Sequence, residues 1–150
     1  MITRRQSWTP PARHQRNRGN SVVETALMAP WIFLLFIGVL DFGFYAYAAI
    51  STQEAARVAA LYTSSSSSNA SDSIGACKYA LKALQDLPNV GAGATCGVGQ
   101  PIQVTAISIA SGADGMPASQ VSVTYQSIPM IPIPGLMGQM TITRTAQMRL

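Results

Sequence analysis

The sequence has little of the chemistry from which active sites are built. Its 150 residues contain one histidine and six acidic side chains, and the histidine, His14, lies in an Arg-rich N-terminal stretch. Beyond residue 71 the acids are Asp72, Asp86 and Asp114, which are far apart and in helix-cap or turn contexts. These counts exclude a His-based catalytic or zinc site there, and no glycine-rich loop opens a helix to hold phosphate. We expect no enzyme, no cofactor, no metal and no small-molecule substrate.

Charge is also missing from a long internal stretch. From Ala26 to Leu40 no side chain is charged, and the apolar run continues from Phe42 to Ile50 with only Asp41 between them. As a helix, residues 26–50 would extend roughly 37 Å, and about 20 apolar residues suffice to cross a bilayer. The core helix of a small soluble domain would show a polar face every turn, and residues 31–40 show none. The stretch predicts a single membrane-spanning helix.

Acidic residues are absent from the segment that precedes this helix. Five arginines come before Gly19, whereas the rest of the chain has five basic and six acidic side chains. Positive charge beside a membrane helix marks its cytoplasmic side. We therefore expect a cytoplasmic N-terminus, an exported C-terminal part and contact with membrane lipid. Arg-rich arms can also bind RNA, but the adjoining apolar run argues against a nucleic-acid partner.

Only two cysteines occur, Cys77 and Cys96, and both fall in the part that we expect to be exported. Export permits a disulfide, and the even count agrees with one. A bridge between them would contribute roughly 3 kcal/mol in the chain-entropy model. The alternative is two separate buried thiols.

A glycine followed five residues later by a glutamate stands at the cytoplasmic edge of the apolar run. Gly19 and Glu24 in this setting resemble the class III signal of type IV pilins, which prepilin peptidase cuts after the glycine. The resemblance implies that Asn20 becomes the new N-terminus and that Glu24 meets the free amino group of a neighbouring subunit. The chemistry agrees, because glycine enters a narrow cleft without steric cost and a carboxylate at the lipid edge needs a partner. Without the resemblance, Glu24 is an acid that the helix dipole favours.

Three motifs narrow the resemblance to one family. They are Val-Val-Glu-Thr-Ala-Leu-Met-Ala-Pro at 22–30, Gly-Val-Leu-Asp-Phe-Gly at 38–43 and Gln-Glu-Ala-Ala-Arg-Val-Ala-Ala at 53–60. This pattern is similar to the TadE-like family, pseudopilins of the tight-adherence (Tad/Flp) pilus machinery. Thr25 departs from it, since an aromatic or aliphatic residue is usual there. The resemblance implies a bacterial inner-membrane protein with a periplasmic domain, and as partners prepilin peptidase, other pilin or pseudopilin subunits and the inner-membrane assembly platform.

Asp41 interrupts the apolar run and has two interpretations. It can lie near the outer membrane–water interface with its carboxylate in the headgroup region, or it can contact a basic residue on a partner helix within the membrane.

The exported part shows helical and then strand periodicity. A helix is predicted over 72–87, with Ile74, Cys77, Leu81 and Leu84 on its buried stripe. Alternating residues predict strands over 102–109, 120–126 and 139–150, with Val121, Val123 and Tyr125 on one face of the second. The proline-rich segment 128–135 cannot lie inside a sheet. The fold class is therefore α+β: a long pilin-like helix followed by one helix and an antiparallel sheet.

Four segments follow from these patterns: a leader (1–19), the pilin-like helix (20–63), a Ser-rich flexible linker (64–71) and a periplasmic α+β domain (72–150). The predicted function is that of a TadE-like minor pilin which acts in pilus assembly after cleavage. One alternative is an uncleaved single-pass membrane protein whose exported domain binds a ligand or partner. Another is a substrate of the machinery that leaves the cell as an adhesin.

Overall fold

The computed structural model describes residues 18–91, 93–128 and 139–150. It confirms the α+β class with two helices and three strands among these residues: α1 (Arg18–Thr63), α2 (Ser73–Leu84), β1 (Ile102–Ile109), β2 (Ala118–Gln126) and β3 (Thr141–Arg149). The leader up to residue 17 and most of the proline-rich segment lie outside the described residues. The chain divides into two compact units, Met1–Phe36 and Ile37–Leu150.

In the first unit, the described residues belong to the N-terminal part of α1. Every residue from Ser21 to Phe36 is exposed, including the aromatic and aliphatic ones. The helix continues through Pro30. Among the described residues, α1 is the one helix long and apolar enough to cross a membrane. A helix that is apolar on all sides requires an apolar surrounding, which a bilayer supplies.

The second unit has a core in which small residues of α1 meet larger residues of the sheet. Alanine and threonine recur at three- and four-residue spacing along the buried face of α1: Ala48, Thr52, Ala55, Ala56, Ala59, Ala60 and Thr63. The alanines belong to one buried cluster with Ile102, Val104, Val121, Val123 and Tyr125. Because alanine has a short side chain, the backbone of a helix can lie close to the sheet surface.

The sheet is an antiparallel meander in the order β1-β2-β3. Val104 lies opposite Val123, and Ile102 lies opposite Tyr125. The predicted inward face of β2 is confirmed, since Val121, Val123 and Tyr125 are fully buried. The opposite face is polar, and the Thr124 and Thr143 hydroxyls lie 3.0 Å apart across β2 and β3.

The buried stripe predicted for α2 is wrong in part. The buried residues are Ala76, Ala80 and Leu84, whereas Ile74 is 87% exposed. Cys77 and Leu81 are only partly buried. Small residues at four-residue spacing allow close packing, so the alanine face, and not the face with the largest side chains, lies against the core. The helix also ends at Leu84 instead of 87, consistent with Pro88, which disfavours helical geometry at residue 87.

The serine run that the sequence predicts as a flexible linker forms consecutive turns. Backbone hydrogen bonds join Asn69 N to Ser66 O and Asp72 N to Asn69 O. Ala70 is buried, and its carbonyl oxygen accepts a hydrogen bond of 3.1 Å from the Ser119 hydroxyl. These contacts attach the segment to β2. The four segment boundaries themselves stay a prediction.

Candidate functional site

The residues of the predicted processing signal lie at the start of α1. Gly19 and Asn20 are in its first turn, and Glu24 follows on an exposed part of the helix. The hydroxyl of Thr25 donates a hydrogen bond of 2.9 Å to the carbonyl oxygen of Ser21.

Exposed apolar side chains surround α1 immediately beyond Glu24. Trp31, Leu35 and Phe36 are 67%, 70% and 58% exposed. Thr25 and Ala29 form a shallow depression with Ile32, Phe33 and Phe36. Such a surface is stable only against lipid or another apolar helix, and small residues allow a second helix to approach closely.

Asp41 belongs to the second unit and is partly buried there, whereas its neighbours Phe42 and Leu40 are exposed. Both interpretations of its carboxylate stay predictions.

A hydrogen-bonded junction connects the end of α1 with the start of α2. The Asp72 carboxylate accepts hydrogen bonds from the backbone N–H groups of Ile74 (3.1 Å) and Gly75 (3.0 Å), which makes it the N-cap of α2. Its other oxygen accepts a hydrogen bond of 2.8 Å from the Tyr62 hydroxyl. Hydrogen bonds to the carboxylate, chiefly from the Gly75 amide and secondly from the Tyr62 hydroxyl, hold the pKa of Asp72 below its usual range. The sequence left the cap open between Ser71 and Asp72, and it gave no indication of the contact between Asp72 and Tyr62.

Replacing Gly75 with alanine is expected to destabilise the protein, although alanine favours helices by about 1 kcal/mol. A Cβ at this position would overlap the Asp72 carboxylate and the Tyr62 ring. We expect a loss of roughly 1–3 kcal/mol, the usual cost of overpacking. Thermal unfolding of the full chain in detergent measures it. Gly91→Ala is the matched control, because a Cβ there meets no atom within 4 Å. An unchanged or raised thermal-unfolding midpoint for Gly75→Ala would contradict the close contact of Gly75 with Asp72 and Tyr62.

A second polar contact attaches the segment after α2 to the sheet. The Tyr125 hydroxyl donates a hydrogen bond of 2.6 Å to Asn89 Oδ1, and Asn89 Nδ2 donates one of 2.7 Å to the Gln126 carbonyl. Burial raises the pKa of Tyr125. The buried Tyr125 hydroxyl therefore has a hydrogen-bond partner. Asn89 fixes the segment after α2 to β2 through these two hydrogen bonds, a role that the sequence did not indicate.

The disulfide between Cys77 and Cys96 is confirmed, with Cα atoms 6.0 Å apart. It joins α2 to the loop before β1, where Cys96 also forms a parallel bridge with Ile102. The alternative of two separate buried thiols is therefore excluded.

Removing the disulfide is expected to lower the free energy of unfolding by roughly 3 kcal/mol, since the closed loop restricts the unfolded chain. Chemical denaturation of the full chain with and without reductant measures this, and a Cys77→Ser/Cys96→Ser variant should match the reduced protein. Reductant should leave that variant unchanged. Equal stability of the oxidised and reduced proteins would show that the bridge contributes nothing.

Glu54 and Arg57 form an ion pair of 4.0 Å on the exposed side of α1. Their side chains are 62% and 65% exposed, so water screens the pair and its contribution is a few tenths of a kcal/mol. They line a shallow cleft with Arg144 of β3. In the part of the chain that the structure describes, no three side chains of His, Cys, Asp or Glu are close enough to hold a metal.

A long helix with an apolar part exposed on all sides from residue 21 to 36, followed in sequence by a small α+β domain, fits a single-pass membrane protein of the pilin-like class. Residues 19–61 match the family model described as TadE-like protein, so this segment is TadE-like and the resemblance seen in the sequence is confirmed over it. The match includes most of α1 and neither α2 nor the sheet. TadE-like proteins are structural components of Tad pili, which associates the chain with a pilus system. No curated protein and no solved structure matches the chain.

Proposed function

We propose that the chain is a minor pilin, or pseudopilin, that acts by assembling with other subunits of a Tad-type pilus through α1. One observation carries this proposal: α1 is TadE-like and its apolar surface from residue 21 to 36 is exposed on every side. Helices in a membrane associate through close packing and matched polar groups. A surface of this kind suits insertion in lipid before assembly and contact with neighbouring pilin helices afterwards.

Prepilin peptidase is the proposed processing enzyme, with cleavage between Gly19 and Asn20. Two features support this: the Arg-rich leader and the absence of a Cβ at the proposed scissile position. The charge distribution supports a cytoplasmic N-terminus and a periplasmic domain, with α1 in the inner membrane.

Glu24 is the proposed assembly residue. Its exposed carboxylate, just before the uncharged stretch, would meet the ammonium group of Asn20 on a neighbouring subunit. Opposite charges attract far more strongly at low dielectric than in water, and an unpaired carboxylate there is costly. The contact would therefore set the position of one helix against the next.

The second candidate function is that of an uncleaved membrane protein whose domain binds a partner. A groove beside α2, with a volume of about 590 Å³, favours it, because that is a common size for binding sites.

Exchange of the membrane segment separates these two functions. Residues 26–44 would be replaced by an unrelated apolar helix of the same length, and the gene returned to a strain that lacks it. Assembly through α1 predicts a chain that reaches the membrane normally but does not restore surface pili. If the exchanged chain restores pili as well as the wild type does, only the domain matters and the proposal is wrong.

A further inference from the structure

The groove beside α2 is not used by the assembly contacts described above. One wall is α2, with Ile74 and Leu81, and the other is the loop around Ala94. Val104 of β1 also lines it, and the disulfide between Cys77 and Cys96 joins the two walls. Because the bridge holds the walls together, the groove exists before anything binds, which lowers the entropic cost of binding.

The chain has two lysines, Lys78 and Lys82, and both line this groove. They are four residues apart on α2, so they lie on the same side of the helix, about 5–6 Å apart at Cβ. Both side chains are exposed. No acidic residue is among the described residues that line the groove. The groove therefore combines an apolar floor with two positive charges that this lining does not neutralise.

Ile74 makes one edge of this groove apolar as well as exposed. It is a large aliphatic residue on a well-formed helix, yet it is 87% exposed at the edge of the groove. An apolar patch beside charges that are all of one sign is typical of a protein interaction site.

We propose that the groove binds an amphipathic segment of another protein of the assembly machinery. This segment presents an aliphatic side chain to Ile74 and Leu81, and two carboxylates at three- or four-residue spacing to Lys78 and Lys82. The proposal rests on the assembly role given above and adds a partner of defined chemistry to it.

A second copy of this chain does not have the required carboxylates. Its six acids are Glu24, Asp41, Glu54, Asp72, Asp86 and Asp114, and the closest two, Asp41 and Glu54, are thirteen positions apart. No pair of acids can therefore face both lysines from one helical turn. A phosphodiester lipid presents one negative charge and also matches less well than a segment with two.

Site-specific photo-crosslinking in cells that contain the pilus machinery tests the proposal. The photoreactive residue p-benzoylphenylalanine would replace Ile74, and the same residue at Ile107, exposed on the outer face of the sheet, is the position control. We expect an adduct with another subunit from position 74 and none from position 107. Mass spectrometry of the adduct should locate the crosslink beside paired acids.

Charge variants then test the recognition itself. Lys78→Glu/Lys82→Glu should reduce the adduct about tenfold or more, because like charges at an interface are strongly unfavourable. Lys78→Arg/Lys82→Arg should retain it. Arg144→Glu/Arg149→Glu, an equal change of net charge on β3, should have no effect. Replacing the partner's two acids with lysines reverses the charges on the other side of the contact. That partner variant should restore the adduct of the Lys78→Glu/Lys82→Glu chain.

Four outcomes would overturn the proposal. They are no adduct at position 74, an adduct that the charge variants leave unchanged, an adduct with a second copy, and an adduct with lipid alone. Each can occur while cleavage after Gly19 and assembly through α1 are normal, so a failure here is distinguishable from a failure of the proposed function.

Discussion

A Gly19→Leu variant is expected to remain uncleaved, longer than the wild-type protein by its 19-residue leader. In the proposed processing reaction, the bond after Gly19 enters a narrow protease cleft in an extended conformation, and a side chain at this position would obstruct that approach. We expect processing to fall at least about tenfold, which corresponds to roughly 1.4 kcal/mol or more in the barrier. Gel migration and intact mass of the membrane-extracted chain measure it.

Gly38→Leu is the matched control for that experiment. It makes the same exchange within α1, at a glycine where an added Cβ meets no atom within 4 Å. This variant should be processed normally. Normal processing of Gly19→Leu as well would show that the peptidase does not recognise this glycine. The proposal of cleavage between Gly19 and Asn20 would then be wrong.

The second large effect is expected from Glu24→Gln, which keeps the shape of the side chain and removes its charge. The variant should be cleaved normally, because the scissile bond lies five residues earlier, but it should not enter pili. Breaking an ion pair in a low-dielectric setting costs about 3–5 kcal/mol. Since each 1.4 kcal/mol is about tenfold in an equilibrium, incorporation should fall by roughly two to three orders of magnitude. The ratio of pilus-bound to membrane-bound protein measures it.

Glu54→Gln is the control for this charge change. Glu54 is 62% exposed, and its pair with Arg57 is screened by water, so its neutralisation should leave assembly unchanged. If Glu24→Gln enters pili as efficiently as Glu54→Gln does, the carboxylate of Glu24 has no part in subunit contact.

The elements that could be predicted from sequence are those determined by residues close to one another along the chain. The absence of charge predicted α1, and alternation along β2 predicted the buried face with Val121, Val123 and Tyr125. The disulfide, which the even number of cysteines in the part predicted to be exported favoured, is also present. In each case the composition or period of one short segment carries the information.

The elements that were missed depend on contacts between distant residues. The packed face of α2 consists of alanines, which a search for large apolar side chains does not select. The hydrogen bond between Tyr62 and Asp72 and the contact between Ala70 and Ser119 exist only after the chain has folded. The groove could not be foreseen either, because α2 and the loop around Cys96 form it together.

Sequencing the N-terminus of the mature protein is the most direct test of the proposed role, since the proposed assembly through Glu24 requires a free amino group at Asn20. The wild-type chain would be extracted from membranes of cells with active prepilin peptidase and sequenced from its N-terminus. Processing and assembly predict a single sequence that begins Asn-Ser-Val-Val-Glu, at Asn20. A protein that still begins at Met1 in those cells would contradict it.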